Sequence, residues 1–399
     1  MQLRIKGQDK SERELFILLV GIILIGANLR APLTSVGSLI PVIRDDLGVS
    51  NAVVGTITTI PLIAFAFVSP FAPKIANRFG MKRTILVSML ILVIGIILRS
   101  MTGVVTLFSG TVLIGVGISF GNVLIPGLIK ISFPLKIGLI TAFYAVSMNL
   151  FAALASGLSV PISIIGNLGW QGSLGAWGIL VLIAIIIWLP QLKNQADLPK
   201  FDTNQTMKKT NMWKSKTAWQ VTVFMGLQSL MFYTILTWLP EILQLNGYSA
   251  SGAGWMLSIM QFGLIPMNFI IPILASKLVD QRKLGMFVGA AFLVGVLGLI
   301  QGQATVIVIS VILIGIACGS AFSLSMMFFT LRTNDGYEAS ELSGMAQSIG
   351  YILAATGPTI FGGLHDLTGT WNAPLILLLI ISVIILIAGT LAGRDVVID

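Results

Sequence analysis

The chain alternates between long apolar stretches and short polar connections along most of its length. Because about 20 apolar residues span a bilayer as an α-helix, each stretch predicts one transmembrane helix. Two connections are very short, Thr102-Gly103 and Gly302. We predict twelve spans, at residues 15–43, 52–73, 84–101, 104–129, 138–162, 170–190, 218–241, 250–274, 285–301, 303–331, 341–363 and 372–392.

The basic residues predict the orientation of these spans. Most of the 24 lysines and arginines lie in alternate connections, and the exceptions are Arg30, Arg44 and Arg99. Short basic connections stay on the cytoplasmic side, so both termini are predicted to be cytoplasmic and the protein to lie in the cell membrane. The net charge of +9 is explained by this topology and does not indicate a nucleic-acid partner.

The long polar stretch 191–217 follows span six and divides the chain into halves that look like copies. Pro41 and Gly48 match Pro240 and Gly247 at one constant offset. The pattern predicts an all-α membrane protein with two six-helix, pseudo-symmetric bundles, present as a monomer among membrane lipids. The predicted segments are an N-terminal tail 1–14, a bundle 15–190, a linker 191–217, a bundle 218–392 and a C-terminal tail 393–399.

The composition supports a membrane protein and argues against an enzyme. Hydrophobic residues make up 56% of the chain and charged residues 10%, which is far from the composition of a soluble domain. The chain has one cysteine, Cys318, and one histidine, His365. A single residue of each type gives no zinc site and no Ser-His-Asp or Cys-His arrangement. We therefore predict no catalytic residues, no metal and no cofactor.

Residues 72–83 resemble the gating loop of the major facilitator superfamily. That loop usually carries an acidic residue where Asn77 stands, followed by an arginine, here Arg78; the second copy keeps the acidic residue as Asp280. Residues 27–32, 121–130, 226–230 and 342–351 are more similar to one branch, the cyanate and nitroimidazole permeases. The resemblance implies the major facilitator fold, gating roles for Asn77, Arg78 and Asp280, and a substrate held between the halves.

Arg30 lies deep within the first apolar stretch. A charge near the bilayer centre costs about 2.5–3.5 kcal/mol on insertion scales and is normally turned to the protein interior. None of the fifteen acidic residues falls in the middle of a predicted span, so Arg30 has no evident counter-ion. Two roles remain open, a structural contact and a substrate or gating contact. A guanidinium binds carboxylates and other planar anions in bidentate fashion, which favours an anionic or strongly polar substrate.

Other polar side chains near the middle of spans that surround a superfamily cavity are further candidates for substrate binding. For each amide the alternative is an interhelical hydrogen bond, and for each tyrosine it is packing. Gly357-Pro358 predicts a pivot in span eleven. The candidates beside Arg30 are Asn28, Thr34, Asn122, Tyr144, Asn149, Gln228, Tyr233, Trp238, Gln261, Gln347 and Tyr351, with Asn268 as a further one.

The function predicted from these features is secondary transport of a small anionic or planar polar organic solute by alternating access. One alternative is multidrug efflux, although a lone arginine disfavours lipophilic cations. Another is a solute sensor that transports nothing, which normally needs an added signalling domain. Proton coupling is open: the substrate, Glu241 or Glu341 could carry the proton, or transport could be uncoupled.

Overall fold

The computed structural model describes residues 12–49, 51–192 and 211–398, and there the chain forms α-helices joined by short turns. The predicted N-terminal tail and most of the predicted linker lie outside the described residues. The helices are α1 (Glu12–Thr34), α2 (Ile40–Leu47), α3 (Asn51–Val68), α4 (Ala72–Phe79), α5 (Met81–Arg99), α6 (Val104–Ser132), α7 (Ile137–Ile164), α8 (Gly169–Trp188), α9 (Lys216–Leu245), α10 (Ala250–Lys277), α11 (Arg282–Gln301), α12 (Ala304–Leu331), α13 (Gly336–Thr368) and α14 (Asn372–Ala392).

Ten of these helices are long and apolar enough to cross a membrane, and the bent pair α3–α4 adds an eleventh if it counts as one span. The two short predicted connections are confirmed, because α5 ends at Arg99 before α6 begins and α11 ends at Gln301 before α12 begins. The longest helix, the 33-residue α13, is not among the ten. It carries polar side chains such as Ser343 and Gln347 that are buried inside the protein, which lowers its hydropathy.

Two predicted spans are wrong as continuous helices. Span one breaks after Thr34, where Pro32 in the last turn and a short 3-10 turn at Gly37–Leu39 precede α2. Span two ends at Val68 and resumes as α4 at an angle of 58°. Residues 72–79 of the predicted gating loop are therefore helical. Pro73 fits this helix because proline is tolerated in a first turn, where no backbone N–H is needed.

The helices fall into two sets with the same packing, α1–α8 and α9–α14. In the first set α1 packs on α7 and α8, and α5 packs on α6 and α8; in the second, α9 packs on α13 and α14, and α11 packs on α12 and α14. Glycines with left-handed backbone conformations recur at equivalent turns: Gly48 and Gly247 have φ of 63° and 87°, and Gly103 and Gly302 have φ of 116° and 74°. Across the sets, α3 packs on α13 and α7 on α10.

A buried arginine in each set caps the end of a helix. Arg99, one of the three basic residues outside the predicted cytoplasmic connections, is 1% exposed and donates from Nη1 to the Pro32 carbonyl at 2.7 Å, at the end of α1. Arg332 donates from Nε to the Ala392 carbonyl at 2.8 Å, at the end of α14. Cations at helix C-termini satisfy free carbonyls and the helix dipole. Arg99 thereby fixes the last turn of α1, the turn that carries Arg30.

Candidate functional site: a central cavity around Arg30

A cavity with about 390 Å³ of empty space, part of it open to solvent, lies between the two sets of helices. Its lining is mostly apolar with a few converging polar groups, which is the chemistry typical of small-molecule sites. The cavity is lined by Arg30, Asn149, Met225, Gln228, Ser229, Phe232, Tyr233, Leu264, Asn268, Cys318, Phe322 and Tyr351. Six of the candidates from the sequence are among them: Arg30, Asn149, Gln228, Tyr233, Asn268 and Tyr351.

Arg30 projects from the first set of helices towards aromatic side chains of the second. Its Cζ atom lies 5.8 Å from the ring centroid of Phe232 and 5.4 Å from that of Phe322, within the range of cation–π contacts. The hydroxyl groups of Tyr144 and Tyr351 also lie within electrostatic reach of the guanidinium. Among the described residues, the Arg30 side chain makes no hydrogen bond or ion pair. Its N–H groups are thus free to bind an acceptor in the cavity.

The amides in the cavity wall are held at one end by the protein. Asn149 donates from Nδ2 to the Ala145 carbonyl at 2.9 Å, within its own helix. Gln228 donates from Nε2 to Ser229 Oγ at 2.9 Å. Because the side-chain nitrogen of each amide is hydrogen-bonded, the orientation of the amide is fixed and its side-chain oxygen is available to the cavity.

Two candidates on α1 do not line the cavity. Asn28 donates from Nδ2 to the carbonyls of Leu24 and Leu180, at 2.8 and 3.2 Å, and so joins α1 to α8. Thr34 donates to the Ala152 carbonyl at 2.9 Å and joins α1 to α7. These bonds place both residues in the packing of the first set.

Asn122, Tyr144 and Gln347 form a connected group beside the cavity. The Tyr144 hydroxyl donates to Asn122 Oδ1 at 3.5 Å, and Gln347 Nε2 donates to the Asn122 backbone carbonyl at 3.0 Å and to Ser343 Oγ at 2.8 Å. The group thereby connects α7, α6 and α13. All three side chains are buried, and their bonds give them an interhelical role in this conformation.

The two remaining candidates lie on α9 and α10. Trp238 donates from Nε1 to the Pro358 carbonyl at 2.8 Å and packs against Trp371, away from the central cavity. Gln261 is half-buried on α10 and does not line the cavity. The amide that α10 places in the cavity wall is Asn268, two helical turns further along.

A polar stripe on α9 leads from the cavity towards one end of the bundle. Tyr233, Thr237 and Glu241 are spaced i, i+4 and i+8, and the last two are exposed. Across the cavity, Ser156 on α7 is also exposed, two turns beyond Asn149. Polar stripes on otherwise apolar helices face water or protein rather than lipid. We call the end where α1 stops and α10 begins, at which these residues lie, the open end, and the space that they border the vestibule.

The opposite end, where α1 begins and α6 and α12 stop, is closed by small residues; we call it the closed end. A Cβ built on Gly344 of α13 would lie 2.8 Å from the Ser69 carbonyl oxygen. Similarly, a Cβ on Gly127 of α6 would overlap Ser340. Such close approach of helix backbones excludes water from the interface.

Polar contacts join the two sets of helices at this same end. Ser348 donates to the Ala66 carbonyl at 2.6 Å. Lys130, at the end of α6, donates to the carbonyls of Thr330 and Thr333 and to Thr333 Oγ1, at the end of α12. A cation at this position also interacts favourably with the dipole of α12.

Asn77 takes part in the closure despite lacking a charge. Its side chain and that of Glu341 both hydrogen-bond to Tyr337, at the start of α13. Burial, followed by the charge of Glu341, raises the pKa of Tyr337 above its ordinary value, so the phenol stays protonated. Glu341 thus places a carboxylate at this contact, on the opposite side of the interface from Asn77.

The other predicted gating residues have local contacts. Arg78 lies over the ring of Phe79, and Asp280 pairs with Arg282 at 2.8 Å. The helix α13 continues through Gly357 and Pro358. A Cβ on Gly357 would lie 3.0 Å from Leu230 Cγ, so this glycine permits close packing of α13 on α9.

Sequence reasoning missed Phe232 and Phe322 as partners of Arg30, and Lys130 as a contact between the halves. Phenylalanines are common in apolar spans, and Lys130 is one of many basic residues near span ends. No signal in a single sequence separates them from lipid-facing or solvent-facing residues. The signal for Asn268 was present, a polar residue at membrane depth.

A bundle of long apolar helices in two equivalent sets, with a polar cavity between them, is the architecture of a membrane transporter. The profile of the Major Facilitator Superfamily matches residues 18–352 and 227–396. The chain belongs to this superfamily, and it is a multi-pass transporter of the cell membrane rather than an enzyme.

Relatives of known name refine this assignment. The chain is 46% identical to the uncharacterized transporter YycB of Bacillus subtilis (strain 168), over 95% of this chain and 94% of that one. It is 39% identical to the 2-nitroimidazole transporter of Escherichia coli (strain K12), over 96% and 97%. It is 25% identical to the cyanate transport protein CynX of the same organism, over 89% and 91%. The predicted nitroimidazole and cyanate branch is confirmed.

Solved structures confirm the fold. The proton:xylose symporter XylE bound to 6-bromo-6-deoxy-D-glucose matches with a TM-score of 0.78 and 14% identity, covering 94% of both chains. The E. coli fucose:proton symporter FucP matches with a TM-score of 0.72 and 14% identity, covering 95% of this chain and 99% of that one. The superfamily thus includes proton-coupled transporters of small molecules.

Proposed function

We propose that the protein is a secondary transporter that carries a small, planar, polar or anionic organic solute by alternating access around Arg30. The observation that supports this most directly is the guanidinium in the central cavity, which has aromatic neighbours but no hydrogen-bonded or charged partner among the described residues. A solute with an electron-rich end would supply the hydrogen-bond acceptors for the N–H groups of Arg30. The names of the relatives fit, because 2-nitroimidazole and cyanate are both small solutes with acceptor atoms.

The proposal includes twelve spans in two bundles, 15–190 and 218–392, joined by the linker 191–217. In this proposal α13 is also a membrane span, although its buried polar residues lower its mean hydropathy, and α3–α4 form one bent span. Both termini lie in the cytoplasm. The closed end then faces the cytoplasm and the vestibule opens to the outside, so the structure represents an outward-facing state.

The cavity chemistry argues for anions or neutral acceptors over lipophilic cations. Among the described residues that line it, Arg30 is charged and no aspartate or glutamate is present. Two carboxylates could couple such transport to protons, Glu241 on the vestibule wall and Glu341 at the closed end. Replacing each by Gln and measuring uptake against an imposed pH gradient would separate them, since only the coupling residue should abolish the gradient dependence.

Replacing Arg30 by Ala should abolish uptake, because the substrate loses the charged group that binds it. The measurement is uptake into proteoliposomes of 2-nitroimidazole, cyanate, benzoate and isonicotinate. Arg30→Lys should retain weak activity, since the charge stays while the bidentate geometry is lost. The matched control is Arg13→Ala, an exposed arginine on the same helix. Uptake at wild-type rates by a correctly folded Arg30→Ala protein would contradict the proposal.

A further inference from the structure

Another group in the cavity that lacks a partner is the side-chain nitrogen of Asn268. Asn268 lies on α10, is fully buried and lines the cavity together with Arg30. Its Oδ1 accepts a hydrogen bond from Ser323 Oγ on α12 at 2.8 Å. Its Nδ2 has no hydrogen-bond partner in the described part of the chain. A buried amide donor without a partner is costly, and most such groups in native proteins are satisfied.

The bond from Ser323 fixes the direction of this amide. With Oδ1 held against α12, the Nδ2 group is the part of Asn268 that is left for a ligand. Phe322, the residue that directly precedes Ser323 on α12, packs on the guanidinium of Arg30. Consecutive residues of α12 therefore support both free donor groups, one from each set of helices.

We infer that Asn268 is a second anchor for the substrate, and that the substrate carries two acceptor groups. One group, anionic or electron-rich, binds Arg30, and the other, a neutral acceptor such as a ring nitrogen or a carbonyl, accepts from Asn268 Nδ2. This inference rests on the proposed function and adds a substrate class to it: small planar solutes that carry two separate acceptor groups. Because the two donors belong to different sets of helices, such a substrate connects the sets when it binds.

The inference is tested with pairs of ligands that differ in one acceptor atom. Isonicotinate differs from benzoate by a ring nitrogen in place of a C–H, and 2-nitroimidazole differs from 2-nitropyrrole in the same way. Wild-type protein should bind the ligand with the extra acceptor about two- to tenfold more tightly, the effect of one hydrogen bond. In Asn268→Leu and Asn268→Ala this ratio should fall to about one, since neither side chain donates. The measurement is calorimetric titration of the full-length protein in detergent.

The control is Ser325→Ala, which removes another buried hydroxyl of α12 that bonds only within its own helix. It should leave the ratio unchanged. Thermal unfolding without ligand provides an independent reading. In a Ser323→Ala background, which removes the hydroxyl that bonds to Asn268 Oδ1, Asn268→Leu removes an unsatisfied buried group and should not lower the melting temperature. A purely structural Asn268 predicts a clear loss. An unchanged ratio in both Asn268 variants overturns this inference alone. If wild-type protein binds none of the four ligands, the proposed function fails as well.

Discussion

The two ends of the bundle differ in how the two sets of helices meet. At the closed end, glycines and serines bring α6 and α13 into backbone contact, and Lys130 reaches the last carbonyls of α12. At the open end, exposed polar residues such as Thr237 and Glu241 border a vestibule instead. The closed end is thus held by close packing and a few polar bonds, which can break and reform more readily than a large apolar interface.

This difference fits a transporter because alternating access requires each end to open in turn. Ion pairs such as Asp280–Arg282 and Arg332–Asp395 lie within the second set and do not resist separation of the sets. The charged contact from Lys130 to α12 does cross the interface. The following three experiments test the comparison, from the largest expected effect to the smallest.

Cysteine labelling should distinguish the two ends most strongly. In a Cys318→Ala background, Thr237→Cys should react rapidly with a polar thiol reagent, while Ser340→Cys, fully buried at the closed end, should react slowly. If the closed end opens in about 1% of molecules, its labelling is roughly a hundredfold slower. Equal labelling rates in native protein would contradict the assignment of open and closed ends.

Removing the Lys130 ammonium should weaken the closed end. Hydrogen bonds to charged groups contribute about 1.5–3 kcal/mol, so Lys130→Ala should accelerate labelling of Ser340→Cys by roughly tenfold or more. Lys136→Ala is the matched control, since Lys136 is exposed on the following connection. Equal labelling rates of Ser340→Cys in the two variants would show that Lys130 does not hold the two sets of helices together at the closed end.

Tyr337→Phe should have a smaller effect, because Tyr337 and Glu341 both lie on α13 and only the neutral hydrogen bond with Asn77, worth about 0.5–1.5 kcal/mol, crosses between the sets of helices. Labelling of Ser340→Cys should rise by a few-fold, measured relative to Thr237→Cys at the same pH. The pKa of the Tyr337 phenol is raised in the closed end, so the phenol stays protonated there. Its stabilisation of the closed end is therefore complete below about pH 10, the ordinary pKa of tyrosine, and is lost only as pH rises through the raised pKa. The effect should therefore be constant from about pH 6 to 9; a decline within that range would contradict the assigned protonation.

How much of the site the sequence predicts depends on the residue. Arg30 and five further candidates line the cavity, because polar groups are rare at membrane depth and their presence is informative. The same signal selected Asn28 and Thr34, whose bonds lie in helix packing. A polar side chain in a span must be satisfied in either case, and only its neighbours show whether the partner is another helix or a ligand.

The sequence by itself determined that this chain forms apolar helices in two similar halves and that one guanidinium lies at membrane depth without a nearby carboxylate. These features follow from local composition, because lipid penalises exposed charge and unpaired backbone wherever they occur. The tertiary structure decided the break after α1, the bend between α3 and α4, the aromatic surroundings of Arg30 and the closure by Lys130. Those features depend on contacts between residues far apart in the chain, which hydropathy and spacing do not encode.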